Sequence, residues 1–424
     1  MIFQILTFEL NFWKKRAITY IFPLLIFIFS LMLFTLENVS FGSDITYRNS
    51  PNSLTTIYYV FSMFLPLFVN SFVSSGVTRD YENKFDQIIY SLPVSKTKIL
   101  IGRFIGGCIV VSFVFLGVLL ADIIAPLMPW ANRDLLGPFR IDSHIQNYFL
   151  VAIPNIFIIG SILFLIASWT KNMNYSFLGA ISLVVILLAL QGLNSKTDNK
   201  TIVALIDPYG FEPIRYFTRK WSAVEKNTML FQTDWKFWAN RAIWFGFSLI
   251  LWVIALKFNR FNFGFSKKKT EEIKAPLLQT NFEKIAIEKD FSWKYTLRNL
   301  HYQAKIDFLH IIKSPAFYVV IGLMILLFSI NIIGQIQSDN PAELATTNNT
   351  LNFIGAINQM MMLAIIYFSG MLIWKERDNK AQDIFDSMPI KTSILYMGKL
   401  LSIFYLMLLL SFFILVVGII YQYS

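Results

Sequence analysis

The residues best placed to do chemistry form a charged run between two long apolar stretches, and the chain carries that run twice. Thr78 to Arg103 reads TRDYENKFDQIIYSLPVSKTKILIGR, and a shift of 296 positions sets it over Trp374 to Lys399, WKERDNKAQDIFDSMPIKTSILYMGK. Asn83, Lys84, Ile88, Ser91, Pro93 and Gly102 meet identical residues at Asn379, Lys380, Ile384, Ser387, Pro389 and Gly398. Asp80, Glu82, Val94 and Arg103 meet Glu376, Asp378, Ile390 and Lys399. A repeat of this period marks two related modules rather than a short-repeat array. Asp80, Glu82, Lys84 and Asp86 in the first copy, and Glu376, Asp378, Lys380 and Asp383 in the second, make no nucleophile-and-base or metal-ligand constellation. Their chemistry is that of a charged face complementary to another protein.

Other chemistry lacks its residues. There is no G-x-x-x-x-G-K-[ST], so the chain has no P-loop for ATP hydrolysis, and no H-E-x-x-H for zinc. The three histidines, His144, His301 and His310, are scattered, and the single Cys108 in an apolar run rules out a disulfide or cysteine metal site within one chain. No cofactor or metal is expected in the chain.

The elements that must hold the charged runs are apolar. Hydrophobic residues are 55% and charged residues 15% of the sequence, against roughly 25% charged in soluble domains, and mean hydropathy is +0.55. The apolar blocks reach the roughly 20 residues a helix needs to cross a bilayer. The expected fold is therefore all-α, a polytopic integral membrane protein with about nine transmembrane helices. These are placed at 17–36, 54–77, 104–128, 149–169, 175–193, 238–256, 316–336, 351–373 and 400–421. Residues 1–257 form a six-span module, 258–296 a cytoplasmic linker carrying Lys267, Lys268 and Lys269 near lipid headgroups, and 297–424 the first three spans of a repeated module. A second module with three spans where the first has six reads as the first half of a unit. A continuation of the chain or a second permease polypeptide would supply the rest.

Before each module lies an amphipathic helix suited to the membrane interface. Phe3, Leu6, Leu10 and Trp13 share a face over residues 2–16, and Leu300, Ala304, Phe308 and Ile311 do so over 297–312; Phe8-Glu9 pairs with Ile306-Asp307. Lys14, Lys15 and Arg16 hold the N-terminus in the cytoplasm under the positive-inside rule. With that topology 26 of the 37 Lys and Arg fall in cytoplasmic segments. Of the remaining 11, eight fall in Lys196–Arg241, too many for a short outer loop. That segment also carries the turn signal Asp207-Pro208-Tyr209-Gly210.

Within the charged run, Tyr81, Phe85, Ile88, Ile89 and Leu92 fall on one helical face, and Asp80, Glu82, Asn83, Asp86 and Gln87 on the other. Pro93 ends the helix. The expectation is one short helix parallel to the membrane, its charged face toward the cytoplasm. The second copy keeps Ala381, Ile384, Phe385, Met388 and Pro389, with Arg377 in place of Tyr81.

The order of interfacial helix, span, outer loop, span, charged helix, L-P-V-S-K-T-K-I-L-I-G-R and span resembles the permease subunits of ABC exporters of the second type. M-P-W at 128–130, L-G-P-F-R at 136–140, D-P-Y-G at 207–210 and the stretch from Trp221 to Asn227 are similar to a bacterial subfamily of long permeases. In some of its members a zinc aminopeptidase domain follows twelve spans; this sequence carries no such domain. The resemblance implies that Tyr81–Leu92 and Gln382–Met388 are coupling helices and that residues 2–16 and 297–312 are elbow helices. It implies a multi-pass protein of the bacterial inner membrane, an outer re-entrant region within Asn194–Phe237, and a separate cytoplasmic ATPase that binds the ATP and Mg. The lipid bilayer is the other partner, and nucleic acid is not one.

Two other classes stand beside this reading. A secondary transporter would need intramembrane charge, and Asp122, placed near the wet outer end of the third span, is the main candidate. A membrane anchor or scaffold for an absent peptidase domain would need none. Asn70, Asn155, Gln191, Asn331, Asn358 and Gln359 read as interhelical hydrogen-bonding residues.

Overall fold

A computed structural model describes residues 2–36, 46–91, 93–196, 200–258, 292–336, 347–378, 381–387 and 392–423, and every regular element among them is helical. The linker lysines at 267–269, together with Asn379, Lys380 and Pro389, lie outside the described residues. So do the side chains of Gln191, Asn331, Asn358 and Gln359. Contacts divide the chain into two units, Met1–Lys257 with Ile325–Leu344 and Phe258–Met324 with Ala345–Ser424, each considered by itself.

The first unit opens with the amphipathic helix α1 (Ile2–Lys14) and the apolar α2 (Ile18–Thr35). The joint between them is closed by side chains: Thr19 Oγ1 donates to the Trp13 carbonyl at 2.8 Å and the Tyr20 hydroxyl to that of Lys14 at 2.9 Å. These supply partners for carbonyls that the end of α1 leaves open. Helix α3 (Pro51–Val69) starts on an N-cap, Ser50 Oγ accepting from the Ser53 amide, with Pro51 at the first helical position. It runs on through a π-helical turn, Asn70–Ser74, into α4 (Ser75–Glu82). Pro66, inside α3 just before that turn, has no amide to donate to the preceding turn. After α5 (Asp86–Ser91), α6 (Lys96–Ile124) begins on a second N-cap, Ser95. The expected third span thus starts eight residues earlier than its apolar run, which places Arg103 inside the helix.

Helix α7 (Ile141–Asn147) passes through another π turn, Tyr148–Ala152, into α8 (Ile153–Thr170), with Pro154 directly after the wide turn. The helices α9 (Met173–Lys196), α10 (Lys200–Ile206), α11 (Phe211–Thr218), α12 (Ala223–Thr228) and α13 (Trp235–Phe258) follow. An aromatic cluster joins three of the long helices: Phe104 on α6 lies 5.6 Å from Phe157, 5.4 Å from Phe164 and 4.8 Å from Trp252 on α13. The remaining helices are α14 (Trp293–Ile312), α15 (Pro315–Ile336), α16 (Thr347–Asp378), α17 (Gln382–Ser387) and α18 (Thr392–Tyr423).

Among the described residues six helical stretches are long and apolar enough to cross a membrane: Ile18–Thr35, Pro51–Glu82, Lys96–Leu127, Ile141–Thr170, Trp235–Lys257 and Thr392–Ile419. A bent pair, Trp293–Ile312 with Pro315–Leu327, meets at 64° and would bring the number to seven. The other spans among the nine expected lie on α9, α15 and α16, each of which runs into residues whose side chains are not described. Large apolar side chains stand exposed along whole helix faces, including Leu24, Leu25, Ile28 and Met32 on α2 and Phe404, Leu408, Phe412 and Leu415 on α18. Apolar faces running the length of a helix are not what soluble monomers expose, and a bilayer covers them without loss. The architecture is that of an all-helical, multi-pass membrane protein.

The turn at 207–210 is held from both sides by α13. Asp207 carboxylate oxygens accept from the amides of Tyr209, Phe211 and Glu212 at 2.9, 2.7 and 3.0 Å, which caps the start of α11. Asn240 Nδ2 donates to the carbonyls of Ala204 and Asp207 at 2.8 and 2.7 Å. Arg241 donates to the Tyr209 carbonyl at 2.5 Å and to Asn155 Oδ1 at 2.8 Å. Gly210 has φ +70°, and a β-carbon there would overlap the Arg241 guanidinium at 1.3 Å. Gly210→Ala is expected to cost the roughly 1–2 kcal/mol of a left-handed non-glycine residue plus displacement of Arg241. A lowered thermal unfolding midpoint of the detergent-solubilised protein, with Gly246→Ala as an unstrained control, is the measurement.

Candidate functional site

The charged run is held from below by the interfacial helix. Glu9 lies at the centre of the buried face of α1, fully shielded from solvent, and Arg79 at the end of α4 reaches it with two hydrogen bonds of 3.3 and 2.9 Å. The Arg79 guanidinium also lies 4.0 Å from the Phe12 ring centroid. One residue on, Asp80 forms a buried ion pair with Arg103 of α6, and Arg103 donates a further 2.9 Å bond to the Gly76 carbonyl. Burying a carboxylate without a partner is prohibitive, and a paired one must keep its geometry. The two pairs therefore lock α1, α4 and α6 together. Helix α1 comes close enough to α6 that a β-carbon on Gly102 would meet Ile5 Cγ2 at 2.7 Å.

The second copy repeats this construction residue by residue. Asp307, fully buried on α14, pairs with Lys375 of α16 at 2.7 Å, and Glu376 pairs with Lys399 of α18 at 2.5 Å. A β-carbon on Gly398 would meet Gln303 Cγ of α14 at 2.8 Å. Glu9, Arg79, Asp80 and Arg103 thus have their counterparts in Asp307, Lys375, Glu376 and Lys399.

The expected single helix over the charged run is instead two pieces. Helix α4 ends in a Schellman motif: the Lys84 amide bonds to the Tyr81 carbonyl at 3.1 Å and the Phe85 amide to that of Asp80 at 2.8 Å. Lys84, at φ +59°, takes the left-handed position usually given to glycine. The short helix α5 starts only at Asp86. In the second copy the Ala381 amide bonds to the Glu376 carbonyl at 2.8 Å, the same closure, before α17.

This redistributes the candidate residues. Asp80 does not lie on an exposed charged face; it is buried in the clamp, and Glu376 is mostly shielded by Lys399. Glu82 is exposed but accepts from the Met173 amide at 3.1 Å, favourable placement for a carboxylate at the start of α9. Asn83 is exposed and donates to the Arg79 carbonyl at 2.7 Å. Lys84, Asp383 and Pro93 are exposed, and Asp86 is half-buried at the start of α5. The residues of the apolar face that stand out are Phe85, 55% exposed, and Ile88, 61% exposed; Ile384 in the second copy is also 61% exposed. A cavity of about 240 Å³ lies beside the Glu376–Lys399 pair, walled by Trp374, Arg377, Gln382 and Tyr396. On the interfacial helices Trp13, Ala304 and Ile311 are buried, Leu6, Leu10, Leu300 and Phe308 half-buried, and Phe3 is 80% exposed. Their inward faces are centred on Glu9 and Asp307, which the apolar spacing did not indicate.

A second buried pair lies elsewhere in the first unit. Asp122 is 1% exposed rather than wet, and His144 Nε2 lies 2.7 Å from its Oδ2. The His144 ring stacks on Phe139 at 5.8 Å, and neither Asp122 Oδ1 nor His144 Nδ1 has a hydrogen-bond partner. Sequence reasoning left His144 without a role because nothing in the polar stretch after α6 indicated that it folds back onto Asp122. Among the described residues no group of histidine, cysteine and acidic side chains is arranged to hold a metal. Comparison with protein-family models and with characterised proteins returns no match.

The clamp makes two expected outcomes. Glu9→Gln or Arg79→Gln alone should destabilise the protein by about 3–5 kcal/mol, the cost of an orphaned buried charge, and the double variant by clearly less than the sum. Unfolding of the four members of that cycle in detergent measures it, and Asp307→Asn with Lys375→Gln should behave alike. Lys84→Gly, which relieves the left-handed lysine, should stabilise by up to about 1 kcal/mol in the same assay.

Proposed function

We propose that the chain is the membrane permease of an ATP-driven ABC exporter of a bacterial cytoplasmic membrane, with its N-terminus in the cytoplasm. The supporting observation is one joint built twice: a short helix with exposed apolar residues follows a break at the end of a long apolar helix, and that end is tied by ion pairs to the interfacial helix and to the helix after the short one. A transporter without its own ATP site needs such a part. The partner ATPase would supply ATP and Mg, seat Phe85 just before α5, Ile88 of α5 and Ile384 of α17, and move both joints as it dimerises. Substrate would cross the membrane along a path lined by the spans.

Phe85→Asp together with Ile384→Asp should leave membrane insertion unchanged and reduce co-purification of a P-loop ATPase at least roughly tenfold, in line with the loss of two apolar anchors. Equal recovery of the ATPase with parent and variant would overturn the assignment. Orientation has its own test. In a Cys108→Ser background, Ser222→Cys should react with an impermeant maleimide on intact cells, and Ser95→Cys only after permeabilisation.

The buried Asp122–His144 pair favours a second reading, ion-coupled transport, since buried intramembrane carboxylates and histidines serve as proton relays. Asp122→Asn separates the two. It abolishes transport driven by a proton gradient, whereas ATP-driven transport persists at a reduced rate.

A further inference from the structure

The eight basic residues of Lys196–Arg241 are the anomaly of the sequence, and the fold gives most of them a place. Arg241 is buried in the 207–210 turn, and the Lys236 ammonium lies 3.5 Å from the Tyr216 ring centroid. Three others, Arg215, Arg219 and Lys226, converge from α11 and α12 on one cavity of about 340 Å³ against the first turns of α3. That volume is at the small end of the roughly 300–1,000 Å³ typical of small-molecule sites. Among the described residues Glu212 is the one carboxylate in its wall, and it lies 3.6 Å from Arg215. Arg219 and Lys226 are left as surplus positive charge. Lys226 is fixed in place by a capping box, Ser222 with Glu225, that starts α12.

The opposite wall has a different chemistry. The Thr55 and Thr56 hydroxyls each donate to a carbonyl of their own helix at 3.0 Å, so their free lone pairs face the cavity as acceptors. Beside them Tyr59 and Phe211 pack edge to face at 4.6 Å and offer apolar ring surface. One wall thus suits a multiply charged oxyanion, for which a guanidinium fork and an ammonium are the usual partners. The other suits hydroxyl donors carried on a carbon skeleton. We infer that this cavity binds a polyol phosphate, either as a free solute or as a phospholipid headgroup. Such binding stands apart from the transport reading, since it requires neither an ATPase nor a moving joint.

The test uses the full chain in nanodiscs of phosphatidylcholine alone, titrated calorimetrically with glycerol 1-phosphate, and in nanodiscs containing phosphatidylglycerol, where retained lipid is counted by mass spectrometry. Saturable binding of glycerol 1-phosphate identifies a free solute as the ligand, and selective retention of phosphatidylglycerol identifies the headgroup. In whichever arm binds, Arg219→Gln with Lys226→Gln should weaken binding at least roughly tenfold. Lys220→Gln, an exposed neighbour outside the cavity wall, should leave it unchanged, and Arg219→Lys should retain most of it. Unfolding midpoints equal to the parent's show that the double variant is folded; if it is not, Arg219→Gln alone replaces it. Absence of binding in both arms overturns the proposal. So does equal loss in Lys220→Gln, which would reduce the effect to general surface charge, or undiminished binding in the double variant.

Discussion

A carboxylate taken out of water must be met by a cation in a fixed place, and this requirement shapes both copies of the charged run. Glu9 and Asp80 are both almost wholly shielded, and their partners come from other helices. Surface ion pairs contribute little and tolerate many geometries. Buried ones do not: if α1, α4 or α6 shifts, a charge is left bare. The glycine at 102 belongs to the same constraint, because α1 brings Ile5 against that part of α6 and a larger residue would push the helix away from the pairs.

The two copies solve the problem with different side chains. In the first, Arg79 grips Glu9 with both arms of its guanidinium and lies against Phe12, so the direction of approach is set as well as the distance. In the second, Lys375 meets Asp307 as a point charge. The second acid has lengthened from Asp80 to Glu376 where the base has changed from Arg103 to Lys399. That exchange keeps the sum of reaches about constant, whereas Asp307 with Lys375 is shorter on both sides than Glu9 with Arg79; the glycine facing the interfacial helix is retained. The first joint is accordingly specified in orientation and the second mainly in separation.

Much of this could be read from the chain. The repeat, the apolar helices and the turn at 207–210 all come from local pattern, and local pattern is what a sequence displays. Charge on an amphipathic helix ordinarily marks the wet side, which by pattern alone puts Asp80 on an exposed face. Its burial depends on Arg103, which an apolar-run reading puts at the border of a span rather than in the second turn of a helix begun at Ser95. Glu9 sits among apolar residues at the spacing of a lipid-facing stripe, and only Arg79, seventy positions on, makes that tolerable. The break at Lys84 carried no signal either, since the left-handed position is filled by lysine with no glycine nearby. His144 and Asp122 are brought together by the path of the 128–140 segment, for which no periodicity speaks.

The misses within the charged run meet at Asp80. The Asp80 carbonyl accepts the bond that closes the end of α4 and fixes the start of α5, while its carboxylate holds Arg103 of α6, and its neighbour Arg79 holds α1. Glu376 stands in the same position, its carbonyl bonded to the Ala381 amide, its carboxylate to Lys399, with Lys375 beside it on Asp307. A displacement of the short helix would therefore reach three helices through two adjacent residues, with backbone and side chains acting in different directions. A continuous helix over the whole run would have passed such a displacement along one axis only. The Schellman break sets the short helix off from α4 at a buried, paired acid, and the sequence keeps an acid, a base and a glycine at the matching positions of both copies.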